Sequence, residues 1–200
     1  FGSYHYLGVG SGNFWRANEA DVTILAQPTA LPGTGFANAG SRLWRYHGPK
    51  GRARFVQSIA AEASAFSAAD WSATLSVGNS RNGIADMIAY RENVFCGLPD
   101  GLYQLDQSGT AINVTGELAG RVHPDNFRDL DVHEGEVVGV HAAGLFAYNP
   151  TTTDRARVRQ VSSPQRSSRS PIIGQHRAVK SYGGWLYAGL WTGSASYLRA

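Results

Sequence analysis

The chain has 200 residues, of which 42% are hydrophobic and only 16% are charged, and its formal net charge is +3 at pH 7. This composition is that of a globular chain large enough for a substantial core, and so small a positive charge does not favour nucleic-acid binding. A single cysteine excludes an internal disulfide, and no apolar run is long enough for a membrane-spanning helix. The 24 glycines, five Trp and nine Tyr favour strands and tight turns over helices.

The N-terminal part of the chain gives the least regular pattern. Residues 6–10 and then 12–15 are a partial copy of the repeat that is described below for the middle of the chain. Residues 28–39, with Pro28, Pro32 and several glycines, predict an irregular loop. Residues 40–57 predict the third and outer strands of a repeating unit.

Residues 60–69 follow that hairpin and are rich in Ala and Ser, which favours a short helix.

An internal repeat in the middle of the chain gives the strongest signal. Residues 87–106 align without a gap onto residues 130–149, and a third copy begins at Val179, where residues 186–190 match residues 94–98. The aligned copies keep both the apolar positions and a turn glycine: Val94 and Phe95 fall on Val137 and Val138, and Gly101 falls on Gly144. Self-similarity at a period of about 45 residues indicates a repeat architecture.

Each copy predicts four short strands. The second strand is apolar on both faces, which indicates burial between neighbouring sheets. One matched position of this strand carries only small residues, as is needed where sheets converge: Cys96, Gly139 and Ala188. We therefore expect Cys96 to be a buried small hydrophobic residue. The turn before this strand contains Gly135 or the pair Gly183-Gly184, which can adopt the positive φ of a tight hairpin. Four strands in this period predict an all-β fold, a β-propeller.

The predicted propeller domain covers residues 1–200. Its blade units are residues 1–27 (partial), 40–78, 84–117, 127–161 and 176–200 (partial). The sequence begins in the second strand of a blade and ends after the third strand of a blade. A blade shared between the two ends would need complementary strands, but here both ends would supply the same strands. The sequence therefore predicts a fragment of a longer propeller, and the alternative is a small ring with irregular closure.

The blade sequence resembles a known class of propeller repeat. The stretch Gly101-Leu102-Tyr103-Gln104-Leu105-Asp106-Gln107-Ser108-Gly109-Thr110 is similar to units of sensor propellers and of bacteriophage tail and minor tail proteins. The resemblance implies a structural or host-attachment part of a virion tail, located in the virion or outside the cell. Its partners would be other protein subunits of the assembly, with a cell-surface glycan as a further candidate. The chain lacks the Asp-box of sialidase blades and the Trp-Asp dipeptide of WD repeats.

No catalytic constellation is recognised, so we expect no enzyme activity and no cofactor. The alternative is a carbohydrate-binding or carbohydrate-active propeller of glycosidase or lyase type, with its acid and base on loops. His123-Pro124-Asp125 could supply such a pair, although a proline between two polar residues is more typical of a turn. The candidates for ligand binding are Trp191, His141, Asp100 and Asp125.

Trp191 is the candidate with the clearest physical argument. It lies at the predicted turn between second and third strands, where the other copies have Pro99 and Ala142, so the blade itself does not need it. An exposed Trp can stack on a sugar ring or anchor a protein partner. Trp15 and Trp44, in contrast, are expected to be buried between blades.

Asp129, Asp131 and His133 alternate with Leu130 and Val132, which places all three on one face of a strand. Two carboxylates and an imidazole can hold a divalent metal. The other interpretation, which we prefer, is the polar, hydrated side of a half-buried strand, because the first copy has different residues there. We therefore predict no metal site.

Overall fold

A computed structural model shows a chain built from short strands. It describes residues 4–8, 13–18, 20, 24–26, 32–47, 55–60, 68–79, 81–116, 122–152, 157–162, 175–191 and 196–199. Besides the strands, these residues include a 3₁₀ helix at Ala68–Asp70. Over the same ranges, no helix is long and apolar enough to cross a membrane.

The described strands form five sheets, and within each sheet they lie side by side in chain order. Sheet I contains β1 (Tyr4–Leu7), β2 (Trp15–Asn18) and β3 (Ile24–Ala26), and sheet II contains β4 (Gly35–Ala39), β5 (Arg42–His47), β6 (Phe55–Ile59) and β7 (Leu75–Ser76). Sheet III contains β8 (Asp86–Tyr90), β9 (Asn93–Leu98), β10 (Gly101–Leu105) and β11 (Ala111–Asn113). Sheet IV contains β12 (Leu130–His133), β13 (Glu136–His141), β14 (Gly144–Tyr148) and β15 (Val158–Ser162), and sheet V contains β16 (Gln175–Tyr182), β17 (Trp185–Trp191) and β18 (Ser196–Arg199).

These sheets are distributed over two compact units. The first unit comprises residues 1–96 and 104–112, with sheets I and II, and the second comprises residues 97–103 and 113–200, with sheets IV and V. Residues of sheet III belong to both. The four-stranded sheets II, III and IV have the strand number and order that the repeat predicts for a blade.

Sheet II corrects the predicted assignment of residues 28–57. Gly35–Ala39 is a strand, β4, and not part of a loop, and it pairs with β5 so that Ala37 lies opposite Trp44. Residues 43–46 therefore belong to the second strand of their sheet and not to the third. The pattern of β4 is hard to recognise because glycine, alanine and asparagine are poor strand formers, and register with β5 supplies what local preference does not.

The third strand of sheet II is β6, and the outer strand is β7. Arg52, Ala53 and Arg54, which were predicted to be outer-strand residues, lie outside the described residues, as does most of the predicted helix at residues 60–69.

The core of the first unit is aromatic. Phe14, Leu43, Ile59 and Trp71 are buried together, with Tyr6 and Phe36 packed against them. The Phe14 and Phe36 rings meet edge to face with centroids 5.0 Å apart. Trp44 is buried as predicted, whereas Trp15 is 38% exposed, so the prediction of burial was wrong for Trp15. Trp15 begins β2 opposite Leu7, which is exposed as well.

Arg45 carries a buried guanidinium within this core. It donates to the Pro32 carbonyl at 2.7 Å and to Gln57 Oε1 at 2.8 Å, and its Cζ lies 4.3 Å from the centroid of the Trp71 ring. Burial lowers the pKa of Arg45 to about 10, so the side chain remains charged at neutral pH. These two hydrogen bonds and the contact with the Trp71 ring offset part of the lost hydration of the cation within the buried residues 43–46.

The second strands of sheets III and IV confirm the repeat. Val94 and Phe95 in β9 and Val137 and Val138 in β13 are almost fully buried. Cys96 is buried too, as predicted, and burial raises the pKa of its thiol.

The matched glycines, Gly101 and Gly144, differ from the prediction in one respect. They are the first residues of β10 and β14 and not turn residues, with φ of +155° and +132°.

The turns between first and second strands have the predicted backbone. Glu134 and Gly135 have φ of +47° and +84°, and Gly183 and Gly184 have φ of +58° and +80°. Two successive positive φ values match the twist of a two-residue hairpin.

In the second unit, sheets IV and V share a core made by β13, β14, β16 and β17: Val138, Val140, Leu145, Ala147, Val179 and Ala188.

Candidate ligand-binding surface

Residues 122–128, which precede β12, are fixed to two turns by one buried side chain. Asn126 Nδ2 donates to the Pro99 carbonyl at 2.9 Å, and Asn126 Oδ1 accepts from the Ala142 N–H at 3.2 Å. Pro99 lies in the turn between β9 and β10, and Ala142 lies in the turn between β13 and β14. The His123 N–H adds a third bond, also to the Pro99 carbonyl, at 3.1 Å. The segment is therefore anchored at the ends of two buried strands.

The same segment contains a buried aromatic residue with an unusual backbone. Phe127 has φ of +48°, which bulky residues rarely adopt. Its N–H donates to the Val140 carbonyl, and its ring lies against His141 with centroids 5.4 Å apart. A Cβ at residue 97 would lie 1.9 Å from the Phe127 carbonyl oxygen, so only glycine fits at Gly97. Backbone strain of this kind persists where the surrounding contacts impose it, and it is common at binding sites.

Asp125 organises two guanidinium groups. Its Oδ1 accepts from Arg128 Nη1 at 2.9 Å and from Arg177 Nη1 at 2.6 Å. The Asp125 side chain is 14% exposed, against 38% for Arg128 and 32% for Arg177. The carboxylate is thus the inner group, and the two cations lie nearer to solvent. Charge-assisted bonds from two donors to one oxygen hold this arrangement more firmly than neutral bonds would.

Trp191 joins the group through Arg177. It is the last residue of β17, opposite Gln175 and Ser196. The prediction that Trp191 lies in a turn was therefore wrong. Its side chain is 41% exposed, and Arg177 Cζ lies 4.8 Å from the ring centroid. One guanidinium therefore connects Trp191 to Asp125. We call His123, Asp125, Arg128, Arg177 and Trp191 the Trp191 cluster.

His123 completes the cluster next to Asp125. Its Nδ1 accepts the Asp125 backbone N–H at 3.1 Å and lies 3.8 Å from Asp125 Oδ2. Because Nδ1 accepts, the neutral ring carries its proton on Nε2, which is then a donor.

The other two predicted ligand-binding residues do not lie in this cluster. His141 is buried, its Nδ1 accepts the Ala143 N–H at 3.0 Å, and its ring packs against Phe146 at 4.7 Å. It supports the segment from beneath through Phe127. Asp100 Oδ2 accepts from the Tyr103 hydroxyl at 3.1 Å. Burial, with a smaller effect of Asp100, raises the pKa of Tyr103.

Asp129, Asp131 and His133 all contact strand β16 of sheet V. Asp129 Oδ2 accepts the Val179 N–H at 2.7 Å, Asp131 Oδ2 accepts the Ser181 N–H at 2.6 Å, and His133 Nδ1 lies 3.0 Å from Ser181 Oγ. Asp129, just before β12, and Asp131 and His133 within β12 thus contact the backbone and a hydroxyl of β16 in sheet V. Within the described ranges, no three His, Cys, Asp or Glu residues are grouped to hold a metal ion.

The preferred interpretation of a hydrated strand face was wrong for Asp131, which is only 7% exposed. Asp131 also accepts the Val132 N–H at 2.8 Å and pairs with Lys180 at 3.2 Å. Asp129 is partly buried, and this burial raises its pKa above the ordinary value of 3.8, although the bond from Val179 acts in the opposite direction.

Sequence reasoning did not select Arg128, Arg177 or Asn126. A signal for the two arginines was present, because the copy that begins at Val179 matches Leu130, so Arg177 takes the same repeat position as Arg128. Extending the alignment two residues upstream would have paired them. Asn126 gave no such signal, since its importance depends on turns that are distant in sequence.

Solved structures of low sequence identity share this fold. An extracellular domain described as part of a one component system of B. thetaiotaomicron has a TM-score of 0.66 and 16% identity, over 98% of this chain and 24% of that one. PorZ, a surface component of the type-IX secretion system of Porphyromonas gingivalis, has a TM-score of 0.59 and 16% identity, over 100% of this chain and 25% of that one. The WD40 domain of Neurospora crassa Pan2 has a TM-score of 0.51 and 12% identity, and the match covers 78% of this chain and 42% of that one.

No protein-family model and no curated protein matches the chain. The chain spans about a quarter of the length of the first two of these solved proteins. Identities this low carry the fold and nothing finer. Together with successive sheets of up to four strands in chain order, they show that this chain has a β-propeller fold.

Proposed function

We propose that the chain is a non-enzymatic recognition propeller within a larger assembly, and that the Trp191 cluster is its binding surface. The observation that carries this proposal is the link from the exposed Trp191 ring through Arg177 to Asp125. The ring, the cation and the carboxylate are held in place before a ligand arrives, which lowers the entropy that binding must cost. The anchored segment beneath them adds rigidity.

The contacts of the acidic residues support a role other than catalysis. A general acid or base must reach the proton that it transfers. Asp125 Oδ1 is occupied by two guanidinium groups, and Asp129 and Asp131 accept backbone N–H groups of β16. These carboxylates therefore serve to position other groups.

The assembly we propose is a virion tail, in which the propeller is a structural or host-attachment part. The support is the resemblance of residues 101–110 to tail-protein blades. The solved relatives named above include an extracellular domain and a surface component, which fits a propeller that works outside the cell. Mass spectrometry of purified virions from the source of this sequence would detect the chain if the proposal is right.

A matched pair of tryptophans tests the binding surface. Trp191 and Trp185 are both exposed and stand at opposite ends of β17. We expect Trp191→Ala to reduce binding to a glycan array, or co-purification of the tagged protein with its assembly, by at least about tenfold, since buried aromatic anchors dominate interfaces. Trp185→Ala should leave both unchanged.

Two results would contradict the proposal. Equal binding by wild type and Trp191→Ala would exclude this surface. Turnover of a polysaccharide that is abolished by Asp125→Ala would show that the chain is an enzyme.

A further inference from the structure

The polar groups of the Trp191 cluster are mainly hydrogen-bond donors. Arg128 and Arg177 outnumber the single carboxylate that they share, and both are more exposed than Asp125. His123 adds an Nε2–H donor, because its Nδ1 is used by the Asp125 N–H. A surface of this kind complements a ligand that brings acceptors and negative charge.

Arg128 is the more exposed of the two cations. A guanidinium carries five N–H groups in a planar fork, and Asp125 takes one of those of Arg128. The bond to Asp125 restrains the direction of this fork. Planar forks of this type bind carboxylates through two parallel hydrogen bonds.

Two further carboxylates, Asp129 and Asp131, follow Arg128 in the chain and have partners in β16. Asp129 and Asp131 direct one oxygen each to the N–H groups of Val179 and Ser181, and Asp131 also pairs with Lys180. Burial has the largest effect on the pKa of Asp129, followed by the Val179 bond and the charge of Asp131, and the charge of Arg128 lowers this pKa by less. One oxygen of each of these two carboxylates is therefore bound to β16.

The aromatic ring decides which kind of anion fits. Trp191 is 41% exposed, and a single guanidinium separates it from Asp125. The C–H face of a pyranose stacks on an indole ring, and a carboxylate carried by that pyranose is held close to it by covalent geometry. An acidic peptide would place its charge on a flexible stem and would gain little from the ring.

We infer that the Trp191 cluster binds an acidic sugar, with the pyranose on Trp191 and its carboxylate on Arg128 and His123. This inference rests on the proposed function, since it names the ligand class of the same surface. It predicts a dependence on both ring and charge. It also predicts weakening by salt, because exposed ion pairs are screened.

The test uses an array of uronic-acid and sialic-acid oligosaccharides and the methyl ester of each, which keeps the ring and removes the charge. We expect the acids to bind at least about tenfold more tightly than their esters, in line with the strength of a charge-assisted bond. Arg128→Gln should reduce binding of the acids about tenfold and leave the esters unchanged. Arg159→Gln is the matched control, because it removes an exposed arginine from β15, where it pairs with Glu136.

The outcomes separate this inference from the proposed function. Equal binding of acids and esters, still lost in Trp191→Ala, would overturn the acidic ligand and keep the recognition surface. Absence of sugar binding with Trp191-dependent co-purification would overturn it in favour of a protein ligand. Absence of any Trp191 dependence would remove both. Thermal unfolding of Arg128→Gln and Trp191→Ala, compared with wild type, would show whether a lost signal reflects lost folding.

Discussion

At two connections between strands of this propeller, the backbone conformation or the available space requires glycine. Gly144 has φ of +132°, and a Cβ there would lie 1.9 Å from the Ser162 carbonyl oxygen in β15. Both the positive φ and the lack of space for a Cβ therefore require glycine at this residue. Gly184 has φ of +80°, but a Cβ there would point into open space, with no atom beyond its chain neighbours within 4 Å. Only the conformational requirement applies at Gly184.

This difference predicts unequal costs for two chemically identical substitutions. Gly184→Ala should cost about 1 kcal/mol, the penalty for positive φ in an alanine. Gly144→Ala should cost about 3 kcal/mol or more, because β15 must also move away from β14. Urea unfolding of both variants measures the costs, and equal midpoints would show that the close approach to Ser162 is wrong.

At the scale of elements, the alternation of polar side chains along β12 is used to attach one sheet to the next. Asp131 accepts the N–H groups of Ser181 and Val132 and is almost completely buried. Asp131→Ala leaves two partly buried N–H donors without this acceptor, so we expect a loss of about 1–3 kcal/mol in unfolding free energy. Asp131→Asn keeps an acceptor oxygen and should lose less. A smaller loss in the alanine variant than in the asparagine variant would contradict this role.

Asp129 should behave differently from Asp131 because burial raises its pKa above the ordinary 3.8. Between the ordinary value and the raised one, the folded state binds more protons than the unfolded state, so this residue's contribution to stability falls as pH rises through that window. Asp129→Asn keeps an oxygen for the Val179 N–H and buries no charge. We therefore expect the variant to be at least as stable as wild type at pH 7. Its advantage should shrink as the pH falls towards 4, in urea unfolding at several pH values.

The limits of sequence reasoning are clear at this scale. The period and the apolar second strands of sheets III and IV were predictable because they repeat without a gap. Strand β4 was not predictable, because its buried residues Ala37 and Ala39, which pair with residues of β5, are not the β-branched residues that are typical of strands. The Trp191 cluster was half predictable: Trp191 and Asp125 were selected separately, but their connection runs through Arg177, which is 52 residues from Asp125 in the chain.

For the whole molecule, the repeat explains why fold and function differ in how far they could be predicted. Every blade must satisfy the same packing, so each copy adds independent support to the fold. A binding surface occurs at one place only and uses residues that differ between the copies. Trp191 is such a residue, since the other copies have Pro99 and Ala142 at its position. Function on a propeller therefore has to be argued from particular side chains and not from the architecture.

The single cysteine gives a measure of how cooperatively this architecture opens. Cys96 is fully buried in β9, and burial, with a smaller effect of Asp86, raises the pKa of its thiol. Only the thiolate reacts with disulfide reagents, so modification requires exposure of the strand. A domain held by about 5–15 kcal/mol exposes its core rarely, and labelling should therefore be slower than that of a free thiol by several orders of magnitude. Tyr182→Cys in a Cys96→Ser background is the control, because Tyr182 is 77% exposed. We expect the control to react at the rate of a model thiol and Cys96 to react only as urea approaches the unfolding midpoint. Rapid labelling of Cys96 in buffer would mean that β9 is not a core strand.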